Sequence, residues 1–328
     1  MESRTAARLD RTLSVIGLGT WQLGADWGDV SEADAAAVLD AAVESGVTFF
    51  DTADVYGDGR SEQVIGRYLA GRPELDIFVA TKMGRREEQN PDNFVLAKFR
   101  EWTDRSRENL QVDTLDLVQL HCPPSVTLEM DQVYDDLDTL VDEGVMAAYG
   151  VSVETVEEAL SAIERPNTAS VQIILNAFRL KPVGLVLPEA IAAGVAIIAR
   201  VPLASGLLSG KYTAETTFAA NDHRTFNRHG EAFDVGETFS GVDFEQGVAA
   251  AREFAALAEQ YDLTPSVAAL AWVAQLPGVT TVIPGARNIE QAQLNASAGS
   301  VPQLPVEFTE SVRDIYDRYF LEAIHERW

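Results

Sequence analysis

Eight short runs of β-branched and apolar residues recur along this chain, each followed by a stretch patterned for helix. That alternation restricts the fold more than any other feature, because strands that alternate with helices build a parallel sheet. The runs occupy residues 15–19, 47–50, 77–81, 115–120, 146–151, 169–174, 195–199 and 279–283. Helices are expected at 35–45, 62–70, 91–109, 128–143, 156–164, 188–193, 244–261 and 265–275. Ser31 with Asp34 and Ser61 read as their first caps, and Gly46 and Gly71 as their first stops.

An open doubly wound sheet and a closed barrel share this pattern. A dinucleotide fingerprint needs a glycine-rich turn that leads directly into a helix. Gly17 and Gly19 lead instead into Thr20, Trp21, Gln22 and Leu23, so that signal is missing. Polar residues stand just past several strand ends: Asp51, Lys82, His121 and Ser152. Catalytic groups gathered from many strand ends mark the C-terminal face of a barrel. The expectation is one (β/α)8 barrel domain over residues 1–328, with a long loop at 212–243. Phe218, Phe226, Phe233 and Phe239 in that loop favour a docked lid.

Composition narrows the partners. The 328 residues carry 51 acidic and 25 basic side chains, a formal charge of -26. Such a surface repels nucleic acid and anionic membrane. The apolar fraction of 46% suits an ordinary globular core and excludes collagen and disorder. No run reaches the roughly 18 apolar residues of a membrane helix, and Met1 to Leu13 lack a signal-peptide core. The expected address is the cytoplasm. Cys122 is the single cysteine, so internal disulfides and cysteine metal clusters are excluded. The acidity and the four lysines fit either a salt-rich cytoplasm or an arginine-rich codon bias.

Asp51, Tyr56, Lys82 and His121 follow three successive predicted strands. If those strands are neighbours, a carboxylate, a phenol, an ammonium and an imidazole meet at one mouth. An ammonium beside a phenol stabilises the phenolate and is expected to lower its pKa, making Tyr56 a proton donor. Each residue alone reads as a turn former, a packing ring or an ordinary histidine. Their conjunction carries the reading.

Residues 49–57, Phe-Phe-Asp-Thr-Ala-Asp-Val-Tyr-Gly, followed by Ser61 and Glu62, resemble the Asp and Tyr motif of the aldo-keto reductases. Ala80-Thr81-Lys82 resembles that family's lysine strand, and residues 113–123 the strand that carries its histidine. Gly150-Val151-Ser152, residues 202–211 and residues 283–287 follow in the family's order. The resemblance spans about Gly17 to Asn295. It implies a barrel that reduces aldehydes or ketones with NADPH and no metal, with Tyr56 as proton donor, Lys82 and Asp51 tuning it, and His121 orienting the carbonyl.

By the same resemblance, Ser152 and Gln172 hold the nicotinamide carboxamide, while Gly19, Thr20 and Trp21 line that end beside Asp51. Arg200 stands where many members stack an aromatic ring on the nicotinamide. Pro202, Leu203, Ser205, Gly206 and Lys211 match the pyrophosphate stretch. Gly285, Arg287, Gln291 and Asn295 match the adenosine and 2′-phosphate grip, and a guanidinium there favours NADP over NAD. Val153 and Leu294 depart from the family pattern. Trp21, Trp27, Trp102 and Phe94 are candidate walls of a substrate pocket, although Trp27 and Trp102 equally suit packing anchors. Arg224 is a candidate to help fold the long loop over the pyrophosphate. The implied partner is a small carbonyl compound. The alternative is an NADP(H)-binding regulatory module with slow turnover, like the β subunits of potassium channels.

Overall fold

The computed structural model describes residues 1–24, 31–219, 222–232 and 234–328. An N-terminal hairpin pairs β1 (Ser3–Ala6) with β2 (Arg11–Ser14). Eight parallel strands follow: β3 (Leu18–Gly19), β4 (Phe49–Asp51), β5 (Phe78–Met83), β6 (Leu115–His121), β7 (Met146–Ser152), β8 (Thr168–Ile174), β9 (Ala196–Arg200) and β10 (Val279–Val282). They lie side by side in chain order. The two edges then meet, because Ile16 bridges to Val282 and Gly19 to Gly285. Gly17 N donates to Val282 O at 2.8 Å, and Val282 N to Val15 O at 3.0 Å. The sheet is therefore a closed (β/α)8 barrel.

Local chemistry sets the helix starts. Ser31 caps α1 (Glu32–Glu44) by accepting from Asp34 N at 3.1 Å. Ser61 does not cap α2 (Arg60–Ala70): Gly59, at φ +92°, turns the chain one residue before the helix begins. Pro91 to Asn93 form a separate turn before α3 (Leu96–Leu110), and α4 spans Asp131–Asp142. Thr155 and Glu158 bond reciprocally at the start of α5 (Val156–Ile163). Next, α6 (Lys181–Ala193) starts well before residue 188, with Pro182 in its first turn and Pro188 inside it. Then come α7 (His223–Phe226), α8 (Phe244–Glu259) and α9 (Pro265–Gln275). Three more helices, α10 (Ile289–Ser297), α11 (Val306–Tyr319) and the short α12 (Leu321–Ile324), follow among the described residues. No described helix is long and apolar enough to cross a membrane.

The barrel interior is filled from below. Phe49, Phe78, Ala80, Leu117 and Ile198 point inward and meet Ala6, Leu9 and Leu13 of the hairpin region. Arg8 fastens that plug by donating to the carbonyls of Ala193, Arg165 and Thr168. Truncating a fully buried ring such as Phe49 would cost about 3–5 kcal/mol. With apolar side chains filling the lower barrel, the polar groups of the strands gather at the C-terminal mouth.

The described part of the loop at 212–243 docks as expected. Tyr212, Phe218 and Phe239 form one aromatic cluster with Phe244. Phe226 is exposed, and Phe233 lies outside the described residues.

Candidate active site

Strand register explains how the charged residues meet. Asp51 ends β4 opposite Gly19 of β3 and Ala80 of β5, and His121 ends β6 opposite Ser152 of β7. Ser152 in turn is level with Gln172 of β8. Lys82, one residue before the end of β5, extends into this ring. Its Nζ donates to Asp51 Oδ1 at 2.5 Å, Thr52 O at 2.8 Å and the Tyr56 hydroxyl at 3.3 Å. An ammonium has three hydrogens, and all three have acceptors. Asp51 Oδ2 accepts from Gln172 Nε2 at 2.7 Å and from Gln119 Nε2 at 3.4 Å.

Tyr56 reaches the cluster from a tight turn. Gly57 has φ +60°, and a side chain there would run into the carbonyl of Gly24. This contact presses the turn that carries Trp21 against the turn that carries Tyr56, and their rings stack at 6.0 Å. Ser61, expected as a helix cap, is buried instead. It donates to Thr20 Oγ1 and accepts from Thr52 Oγ1, each at 2.9 Å, tying the first two barrel loops together.

The electrostatics differ from the sequence expectation in one respect. Burial pushes the Tyr56 phenol above its ordinary value, and the opposing pull of Lys82 does not cancel it. The phenol is therefore firmly protonated. For Lys82, burial works against the charge, but Asp51 and Tyr56 outweigh it and hold the ammonium above its ordinary value. His121 meets the Tyr56 ring edge-on at 6.0 Å. Burial, with Arg85, Lys82 and Arg200 nearby, holds it well below its ordinary value, so the imidazole is neutral. Its buried Nδ1 has no hydrogen-bond partner among the described residues. Cys122 next to it has a thiol pushed up to about 12, mainly by burial, which disfavours the thiolate.

A cavity of about 550 Å³ opens on this cluster and runs towards the ends of β9 and β10. Gly19, Thr20, Trp21, Asp51, Tyr56, His121, Ser152 and Gln172 line one end. Pro202, Leu203, Ser205, Gly206, Lys211, Gly285, Arg287, Gln291 and Asn295 line the other. Arg224 and Arg287 both bear on Tyr212 at that far end, where Arg224 also pairs with Asp222.

Several residues reach the cavity while bonded to protein groups. Gln172 lines the cavity and spends its amide N–H on Asp51 and Gln119. Gln291 accepts from Arg287 N at 2.9 Å, and Asn295 donates to Gly285 O at 3.1 Å, so both brace the backbone of 285–287. Ser205 Oγ donates to Glu237 O at 2.5 Å and accepts from Phe239 N at 3.1 Å, fastening the lid loop. Arg200 is tied to Glu154 at 2.9 Å, to Val153 O at 3.0 Å and to Glu237. Leu294 lines the cavity and is partly exposed.

Two pocket-wall expectations fail. Phe94 and Trp102 are buried against each other and Phe99 beneath Gly84, away from the cavity. Trp27 lies outside the described residues. Gln119, Glu154 and Glu237 were not foreseen. Gln119 did leave a signal, as the one polar residue inside the run Leu117-Val118-Gln119-Leu120. Glu237 left none, because its position depends on how the lid folds.

Residues 15–317 match the model of the aldo/keto reductase family. An uncharacterised oxidoreductase of Mycobacterium tuberculosis is 31% identical over 88% of this chain and 85% of its own. The glycerol dehydrogenase structure from Gluconobacter oxydans aligns with a TM-score of 0.77 at 31% identity, covering 94% of this chain and 93% of that one. An aldo-keto reductase from Klebsiella pneumoniae, solved with NADPH, shares the fold at a TM-score of 0.70 and 23% identity, over 96% of each chain. The barrel, the converging Asp51, Tyr56, Lys82 and His121, and these matches agree, and the chain belongs to the aldo/keto reductase family.

Proposed function

We propose that the protein is an NADPH-dependent reductase of aldehydes or ketones, reversible in principle, with Tyr56 as proton donor. The observation that carries this reading is Lys82, whose ammonium bridges Asp51 and the Tyr56 hydroxyl at the cavity floor.

The residues fit the cofactor. A cavity of about 550 Å³ lies within the usual range of about 300–1,000 Å³ for small-molecule sites. Gly206, at φ +94°, brings bare backbone to the wall, since a side chain there would strike Tyr212. Lys211, Arg224 and Arg287 supply cationic donors for phosphates, and Arg287 suits the 2′-phosphate of NADP. Ser152 and Gln172 would hold the carboxamide at the opposite end. When bound, NADPH supplies the hydride that reduces the carbonyl carbon.

Tyr56 holds its proton at Oη through the resting pH range and passes it to the carbonyl oxygen as negative charge develops there. Lys82 then stabilises the phenolate, and Asp51 keeps Lys82 charged and in place. A neutral His121 can direct an N–H at the same oxygen without adding charge to the cationic side of the site. Trp21, stacked on Tyr56, screens the cluster from water.

The test is NADPH oxidation by the purified protein with a panel of aldehydes and diketones, beside equilibrium NADPH binding. Turnover on at least one carbonyl supports the reductase. Tight NADPH binding with no turnover on any carbonyl supports the regulatory module instead.

A further inference from the structure

The cavity reverses the charge balance of the chain. Acidic side chains outnumber basic ones two to one in the sequence, yet Arg85, Arg200, Lys211, Arg224 and Arg287 line the cavity against Asp51 and Glu237. Lys211, Arg224 and Arg287 belong to the phosphate end. Arg200 is spent on Glu154, Glu237 and Val153 O. Arg85 is left over.

Arg85 follows β5, between the loop that carries Tyr56 and the strand that carries His121. It is therefore at the reaction end, across the mouth from the loops after β9 and β10. Its charge bears on His121 directly, being one cause of that imidazole's depressed pKa. The side chain is 27% exposed, and its ionic partner is Glu154 at 3.6 Å, too far for a hydrogen bond. Glu154 turns its other oxygen to Arg200 at 2.9 Å. Among the described residues, Arg85 donates no hydrogen bond from its side chain. A guanidinium carries five N–H donors in a planar fork that matches a carboxylate. On the reductase reading the cofactor's phosphates would bind at the other end, which leaves this group to the substrate. Glu237 and Glu154 both bear on Arg85 electrostatically, but no hydrogen bond to either engages its guanidinium among the described residues.

We propose that Arg85 selects carbonyl substrates that carry a carboxylate: short oxo acids whose carboxylate binds its guanidinium while the carbonyl oxygen faces Tyr56 and His121. This rests on the reductase reading and names the substrate class for it. The carboxylate takes no part in bond making. The carbonyl carbon gains the hydride of the reduced nicotinamide and the oxygen gains the Tyr56 proton, giving the hydroxy acid and the oxidised nicotinamide. Trp21 offers an apolar wall for the carbons between the two polar ends.

The experiment measures kcat and KM, with saturating NADPH, for succinic semialdehyde and for its methyl ester. The two differ in charge and little in shape. The wild-type protein should prefer the acid by about tenfold or more in kcat/KM, the value of a charge-assisted hydrogen bond. In Arg85→Gln the acid-to-ester ratio should fall by about tenfold or more, chiefly through KM, and Arg85→Lys should retain part of it. Added KCl should raise the KM of the acid more than that of the ester. A wild-type preference for the ester, or a ratio unchanged in Arg85→Gln, overturns the proposal while leaving the reductase intact. NADPH binding without turnover on any carbonyl overturns both. If Arg85→Gln fails to fold, the wild-type ratio and the Arg85→Lys variant still decide.

Discussion

Gln172 donates to Asp51 across the barrel mouth, with Nε2 2.7 Å from Oδ2. This bond divides the carboxylate: Oδ2 belongs to the glutamine and Oδ1 to Lys82. Both side chains are almost wholly buried, so water replaces a lost partner poorly. Gln172→Leu should lower stability by about 1–3 kcal/mol, the cost of leaving a buried acceptor short of a donor. Urea unfolding measures this, and a fall in kcat should accompany it as Asp51 loses its fixed orientation.

The pair of Lys82 and Asp51 yields a sharper contrast. Lys82→Met leaves a buried carboxylate without its counter-charge, which should cost about 3–5 kcal/mol and abolish turnover. Adding Asp51→Asn should recover most of the stability and none of the activity. Recovery of both would mean that the ammonium serves packing alone.

Asp54 sets a pH dependence that is independent of the chemistry. Its two buried carboxylate oxygens lack a hydrogen-bond donor in good geometry among the described residues. Burial, reinforced by Glu62, raises its pKa to about 7. In the unfolded chain the group ionises at its ordinary lower value, so its contribution favours folding in acid and is lost as pH rises towards 7. Above that, the penalty is about 4 kcal/mol, at 1.36 kcal/mol per unit. Asp54→Asn should therefore stabilise the protein at pH values above about 7 and give a gain that shrinks in acid. Thermal unfolding across pH reads this directly, and a gain that does not vary with pH would contradict it.

One hydroxyl adds to the aromatic cluster and the Arg200–Glu237 pair in fastening the lid. Ser205 Oγ bridges Glu237 O and Phe239 N, joining the β9 loop to the segment that closes the cavity. Ser205→Ala should speed NADPH dissociation by about tenfold, the effect of roughly one hydrogen bond. Stopped-flow displacement gives the rate.

Much of this molecule was legible in the chain because the relevant signals are local. The eight strand runs and their polar ends reveal the barrel, and the spacing of Asp51, Tyr56, Lys82 and His121 along three strand ends reveals the cluster. What stayed hidden depends on distant contacts. The hairpin of β1 and β2 has short polar strands whose burial comes only from plugging the barrel. Pro188 looks like a helix start, yet Pro182 takes that role and the outer helix carries Pro188 inside. The Tyr56 phenol was expected to fall under the influence of Lys82, but the depth of the site, which no spacing reveals, reverses the direction. The tie from Arg200 to Glu237 requires the folded lid.

The most direct test is a single turnover: protein with NADPH already bound is mixed with an aldehyde that the wild type reduces, and Tyr56→Phe is compared with it. The variant should bind NADPH as the wild type does and transfer hydride about 100- to 10,000-fold more slowly, the usual weight of a general acid. A variant that oxidises NADPH at the wild-type rate would contradict the assignment of Tyr56 as the proton donor.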